Sequence, residues 1–305
     1  MTINLNAFMP EDKSSVKSDD LKSIQINTLK ADINYRNACE KGESYDLMLE
    51  RIENGLMYLQ THKNDELFDK LFDYDGAFSA SGVLEFGLED INSKSYTAGM
   101  EAIKNQILDS VISVATGKLW AFMKWVNNAK SQAEVMKKQM IAKKKNLKAE
   151  NSTETDIRAS LSYALSEGAD ILAANKKLSD KFVGNKSNDY DSLLSESKSL
   201  EIRAEKFVKK LDDMYFDHRD RNLTSQEIGS MLDKGIKIAE SISSSSDIAG
   251  WWKTHFKQNK SALAVGELSS VISSARKKNI IAANSWKIYH LVASAQLKTI
   301  EYLAD

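Results

Sequence analysis

The chain has 305 residues, with 42 Lys plus Arg against 43 Asp plus Glu, a net charge of −1, and 42% hydrophobic residues. That apolar content argues against global disorder, and the balanced charge argues against a protein that coats nucleic acid through its overall field. One proline, Pro10, leaves room for long helices, and one cysteine, Cys39, permits neither an intramolecular disulfide nor a cysteine-based zinc site within one chain.

The opening MTINLNAFMPEDKSS has no basic stretch followed by an apolar run, so no secretory signal is expected. Ser18, Asp19, Asp20 and Leu21 open a first helix whose acidic first turn suits the macrodipole, with Leu21, Ile24, Leu29, Ile33 and Ala38 as apolar positions. Gly42 is expected to end or interrupt it, and Ser44 to cap a second helix carrying Leu47, Ile52, Leu56, Met57 and Leu59. His62 falls near the end of that helix, where an imidazole suits the last carbonyls. A short helix is expected over Asp65 to Phe72, then a packed loop over Asp73 to Tyr96 with Gly76, Gly82 and Gly87, anchored by Phe78, Phe86 and Leu88.

The stretch from Ala98 to Glu150 organises the rest. At about 100° per residue, Ile103, Ile107, Val111, Ile112, Ala115, Leu119, Phe122 and Val126 share one broad apolar face. Ala129, Ala133, Met136, Met140 and Leu147 continue it as a narrower stripe. Residues 128–149 hold seven lysines and one acid, Glu134, so a basic amphipathic half-helix sits on a mildly acidic body and points to a local anionic partner. Asp109, Lys118 and Lys124 interrupt the apolar half, which falls short of a membrane span.

Beyond it, Asn151, Ser152 and Thr153 read as a turn, and Thr153-x-x-Asp156 as a cap for a helix through Ile157, Leu161, Ala164, Leu165, Ala169 and Leu172. Lys181 to Asp191 reads as a loop. Leu193 to Phe216 reads as a helix with Leu200, Ile202, Ala204, Phe207, Val208, Leu211 and Tyr215 as core candidates. Thr224-x-x-Glu227 is a clearer capping box, opening a helix through Ile228, Met231, Ile236 and Ile238. Ser241 to Asp247 is a low-complexity joint, and two last helices are expected at about 248–276 and 280–303. Nothing alternates as a sheet would. The expectation is all-α: a multi-helix bundle organised around one long central helix at about 98–149. Its three regions are 1–96 (helical with a Gly-rich loop), 97–150 (the long helix) and 151–305 (a C-terminal bundle).

Signatures of chemistry are sparse. His62, His218, His255 and His290 are scattered, and phosphate-loop, dinucleotide and GxSxG fingerprints are absent. The densest polar cluster, Leu211 to Asn222, places Asp213 and Asp217 on one helical face near His218 and Asp220. Its DDxxxD spacing fits neither a terpene-synthase metal motif nor a calcium loop, and a solvated helix end with Arg219 and Arg221 as counter-charges is favoured. DYDGAFSAS, from Asp73, lacks the first and last ligands of a calcium loop. No catalytic residue, metal or cofactor is assigned. The residues singled out for contact with nucleic acid or an anionic surface are Lys130, Lys137, Lys138, Lys143, Lys144, Lys145 and Lys148. Trp120, which projects toward the polar side with Asp109 and Ser113, is singled out as an interface anchor.

The stretch GKLWAFMKWVNNAKSQAEVMKKQMIAKKKNLKAE, Gly117 to Glu150, together with the opening MTINLNAFMP, resembles internal head proteins of large tailed bacteriophages. Those virion proteins join an acidic helical N-terminal region to a Trp-containing helix, a lysine-rich helix and further helices. The resemblance is one of pattern and composition over about the first half of the chain. It implies a non-enzymatic structural protein of the capsid interior, or of the host cytoplasm before packaging. Its partners would be other virion proteins, packaged DNA or further copies of the chain. Trimming by a maturation protease is also implied, but the Leu/Ile-x-Glu sequences at 165–167, 194–196 and 238–240 are expected by chance. The alternative from another class is a membrane-active helical protein, akin in outline to pore-forming toxins, that exposes Ile107 to Val126 at a membrane surface.

Overall fold

A computed structural model describes residues 18–62, 96–147, 152–184, 190–215, 218–244 and 268–304. Among them are six helices and one two-stranded ribbon: α1 (Ser18–His62), α2 (Tyr96–Lys145), β1 (Ser152–Thr155), α3 (Arg158–Gly184), α4 (Asp191–Tyr215), β2 (Asp220–Leu223), α5 (Ser225–Ser244) and α6 (Leu268–Ala304). The fold is the all-α bundle that the sequence predicts. Expectations for 65–72, 73–95 and 248–267, with Trp251, Trp252 and His255, lie outside the described residues, as do Asp217 and Lys148.

The helices α1, α2, α5, α3 and α4 follow one another around α6, each packed against the next and all five against α6. The reason lies in the α6 side chains: Ile281, Ala282, Trp286, Ile288, Tyr289, Val292, Ala293 and Ile300 point in several directions and are all buried. A helix apolar on most sides has to be enclosed. One buried apolar cluster runs through all six helices.

The long helix keeps the predicted phase. Ala115, Leu119, Phe122, Val126, Ala129, Ala133, Met136 and Met140 are buried, and Leu147 packs against the core just beyond the helix end. On α4 the buried seam is Leu193, Leu200, Ala204, Phe207 and Leu211, whereas Ile202, a predicted core residue, is 51% exposed because it falls off that phase. Polar contacts inside the ring lock α3 to α6: Asn175 Nδ2 donates to the Ser285 carbonyl at 2.9 Å, and Gln296 Nε2 to the Ala164 carbonyl at 2.9 Å.

The first helix departs from expectation in continuity and in phase. It runs unbroken through Gly42 and Ser44 to His62. Its buried side chains are Leu21, Thr28, Ala31, Tyr35 and Leu49, while the predicted Leu29 and Ile33 are exposed. Gly42 does not end the helix; its missing side chain leaves room for one from α2. Lys118 lies across it, with its Cε in the place where a Cβ would stand, and reaches Asp46 at 3.6 Å. Tertiary contact here overrides the poor helix propensity of glycine. Gly42→Ala has to displace only the flexible end of Lys118, so the ~1 kcal/mol gain in helix propensity is expected to be offset by the loosened Lys118–Asp46 pair, leaving a net change within about 1 kcal/mol. Urea unfolding of the variant decides the sign.

Four further boundaries move. Ser152–Thr155, predicted as turn and cap, forms a strand antiparallel to Asp220–Leu223, with Thr155 Oγ1 donating to Asp220 and Thr153 Oγ1 to Asn222 across the pair. Asp156 still caps α3, by accepting the Arg158 N–H at 3.2 Å. The helices α3 and α5 continue to Gly184 and Ser244, where Ser244 Oγ bonds back to the Ser241 carbonyl. There is also no break between 276 and 280, because the charges there fan outward to different neighbours. Arg276 pairs with Glu53 and Glu50 on α1, Lys277 with Asp191 on α4, and Lys278 lies over the Tyr190 ring. The Thr224–Glu227 capping box forms as predicted, in both directions.

Candidate functional site

Which lysines of α2 are paired is decided by whether an acid of a neighbouring element lies within reach. Lys137, Lys143 and Lys144 flank the apolar seam and turn inward to neighbouring acids. Lys137 pairs with Glu240 and Lys144 with Asp233 on α5, and Lys143 approaches Glu154 on β1 at 3.9 Å. Of the other predicted contact lysines, Lys130, Lys138 and Lys145 are exposed, as is Lys144 despite its pairing. None of the first three makes an ion pair among the described residues.

Trp120, Lys124, Asn127, Ser131, Lys138 and Lys145 fall within about 40° of one line along the helix at 100° per residue, and all six are exposed. Lys130, also exposed, lies about 80° from the line, outside this band. At 1.5 Å per residue the band is about 38 Å long from Trp120 to Lys145. Trp120 is 42% exposed, so the large apolar side chain predicted on the polar side is in fact there. Between Trp120 and Lys145 the one acid is Glu134, half-buried and about 40° from the line. The surface is thus a narrow basic ridge with a ring at one end. It can offer positive charge, hydrogen-bond donors and one stacking surface to a long anionic partner.

The other polar clusters are structured differently from their sequence spacing. Asp213 is exposed, and His218 turns instead toward α3, with Nε2 2.7 Å from Ser160 Oγ. Among the described residues, no three of His, Cys, Asp and Glu stand together as a group able to hold a metal ion. His290 belongs to the core, where it bonds Asp32 and lies between the Tyr35 and Trp125 rings. No described helix is long and apolar enough to cross a membrane.

Trp125 and Val135, buried on α2 outside the predicted face, were missed by the single-stripe reading. Both face the wider enclosure that two flanking helices create. Asp156, Arg158 and Ser160 were also missed as a polar cluster, since their partners Arg221, Glu227 and His218 lie about 60–70 residues away in the chain. In comparisons with protein-family models, curated proteins and solved structures, nothing matches this chain.

Proposed function

We propose that the protein is a non-enzymatic helical structural component of a phage virion interior, whose α2 ridge contacts packaged DNA or a neighbouring virion protein. The observation that supports this reading is the separation of the lysines. Lys137, Lys143 and Lys144 are engaged with the protein's own acids, while Lys138 and Lys145 share an exposed ridge with Trp120 and Lys130 is exposed beside it. A ridge rather than a groove suits a phosphate backbone or the surface of a partner.

Duplex DNA binding, followed by fluorescence anisotropy across a salt series, tests it. Replacing Lys130, Lys138 and Lys145 together by glutamine should flatten the slope of log K against log salt by about 2.7, at ~0.9 for each phosphate no longer neutralised. The same change at Lys137, Lys143 and Lys144 should leave that slope in place and lower the unfolding midpoint. Salt-insensitive binding, or equal slopes in both triple variants, would overturn the DNA reading. Absence of the protein from purified virions would overturn the virion reading. The exposed Trp120 supports a second reading, adsorption to an anionic membrane surface. A fluorescence blue shift with anionic but not neutral vesicles, lost in Trp120→Phe, would favour it over DNA.

A further inference from the structure

We infer that the pocket between the first turn of α3 and residues 218–221 is a phosphate-binding site, separate in its residues from the α2 ridge. The cavity measures about 500 Å³ and is lined by Asp156, Arg158, Ser160, His218, Arg219 and Arg221. That volume lies within the range of small-ligand sites.

The pocket lining itself carries three guanidinium groups, Arg158, Arg219 and Arg221, against one carboxylate, Asp156. Arg158 is committed: Nε and Nη2 hold Asp156 at 2.9 and 2.7 Å, and Nη1 holds Glu227 at 2.6 Å. Those bonds hold the Asp156 carboxyl down to about 2, so it stays ionised and bound to Arg158. Arg219 makes no ion pair among the described residues, and Arg221 has only a 3.7 Å contact with the same Asp156. Arg219 is therefore the guanidinium left without a carboxylate, Arg221 is only loosely held, and Asp220 between them is taken up by Thr155 across the ribbon; a guanidinium fork matches phosphate oxygens in geometry as well as sign.

The walls are fixed before any ligand arrives. Ser160 is almost wholly buried, and its Oγ holds the His218 ring at 2.7 Å. The Asp156 N–H donates to the Arg219 carbonyl at 3.2 Å, tying the start of α3 to the strand segment that carries the arginines. Ahead of the first intrahelical bond, Leu161 N to the Ile157 carbonyl, the Arg158 N–H is capped by Asp156. The next N–H groups, of Ala159 and Ser160, add to the positive potential at the helix start. A phosphate oxygen here would meet Arg219 and Arg221 beside the ring of His218.

The test is an NMR titration of the His218 Hε1 resonance, assigned by its loss in His218→Gln, with inorganic phosphate and with a short single-stranded DNA oligomer as probes. Saturable shifts are expected with phosphate. Arg219→Gln and Arg221→Gln should each weaken binding roughly tenfold, as loss of a charge-assisted bond does, and the double variant should abolish it. Both side chains are exposed, so the unfolding midpoint should not move. An oligomer that displaces phosphate and binds more tightly identifies nucleic-acid backbone as the source of the group. Phosphate that binds at least as tightly as the oligomer identifies a small phosphate compound. The triple Lys130, Lys138, Lys145 variant should bind phosphate like the parent, so failure of the ridge reading and failure of this one are told apart. No saturable shift, or an unchanged one in Arg219→Gln/Arg221→Gln, overturns the assignment.

Discussion

Phe122→Ala is expected to cost about 3–5 kcal/mol of stability, the usual range for deleting a buried phenyl ring. The position explains why the full range applies. Phe122 on α2 is completely buried, with the Tyr35 ring of α1 at 5.6 Å and the Trp286 ring of α6 stacked on it at 5.9 Å. The Tyr289 ring meets it edge-on at 5.9 Å, and Trp125 follows at 6.4 Å along the same helix. Three helices thus meet on one ring, and the rigid aromatic neighbours cannot collapse into the space that alanine leaves. Whole-protein stabilities are about 5–15 kcal/mol, so the loss is a large share of the total. Denaturant unfolding should show a lower midpoint at unchanged slope. Leu29→Ala is the matched control: Leu29 is 61% exposed, and its loss should stay within about 0.5 kcal/mol. A Phe122 effect below about 1 kcal/mol, or a Leu29 effect that rivals it, would mean that the α1–α2–α6 joint is wrong.

The contrast between Phe122 and Leu29 also shows which parts of the fold could be read from the sequence. The α2 seam was legible because residues 115–140 keep one period over seven turns, and only one neighbour arrangement buries them all. The α1 seam was not, because its buried line includes Thr28, Ala31 and Tyr35, while Ile26, Leu29 and Ile33 form an equally periodic apolar line that faces solvent. With two competing stripes, residue type alone favours the larger aliphatic side chains. What decides is the partner: α6 presents His290 to Asp32, a polar contact that selects the other face. Gly42 and the 276–280 charges misled for a related reason. Each looks like a breaker in isolation, and each is explained by a side chain from another helix or by contacts spread over several helices.

The candidate site was legible in composition and not in detail. Counting lysines located the basic half-helix, but charge counting cannot tell Lys144 from Lys145. One residue apart, they differ by about 100° in direction. Lys144 meets Asp233 on α5, a distance of 89 residues in the chain, whereas Lys145 meets solvent. The acids that neutralise half of the tract become visible only once α5 and β1 are placed beside α2. That Trp120 lies on the polar side could be read in advance because it depends on α2 alone. The Arg219 and Arg221 pocket could not be seen in advance, since the spacing around Asp213 and Asp217 drew attention to carboxylates and away from the basic side chains between α4 and β2.

The pair His290 and Asp32 carries the second large effect. Their bond joins α6 to α1, the two ends of the described chain, inside a box made by the Tyr35 and Trp125 rings at 4.9 and 4.5 Å from the imidazole. Burial pushes the Asp32 carboxyl up, but the hydrogen bond and charge of His290, followed by the charge of Arg36, outweigh it and hold the group below its ordinary value. A carboxyl lowered in the folded state adds stability that is fully present above its unfolded value, near 3.9. That stability is lost as pH falls through the lower, folded value. His290→Leu removes the main lowering influences and leaves a shielded carboxylate with Arg36 alone, which is itself largely exposed. The expected cost is about 2–3 kcal/mol at pH 7, below the usual range for a broken buried pair because Arg36 and solvent still screen the charge. Part of that cost, the packing of the imidazole between the two rings, is independent of pH. The electrostatic part is not, so the gap between parent and variant should narrow as pH is taken from about 5 toward 3. Asp32→Asn in the His290→Leu background should recover stability at pH 7, since it replaces the stranded charge by a neutral group of the same shape. A gap that stays constant down to pH 3, together with no recovery in the double variant, would show that the pair is a packing contact and that the choice of face on α1 rests on the aromatic rings instead.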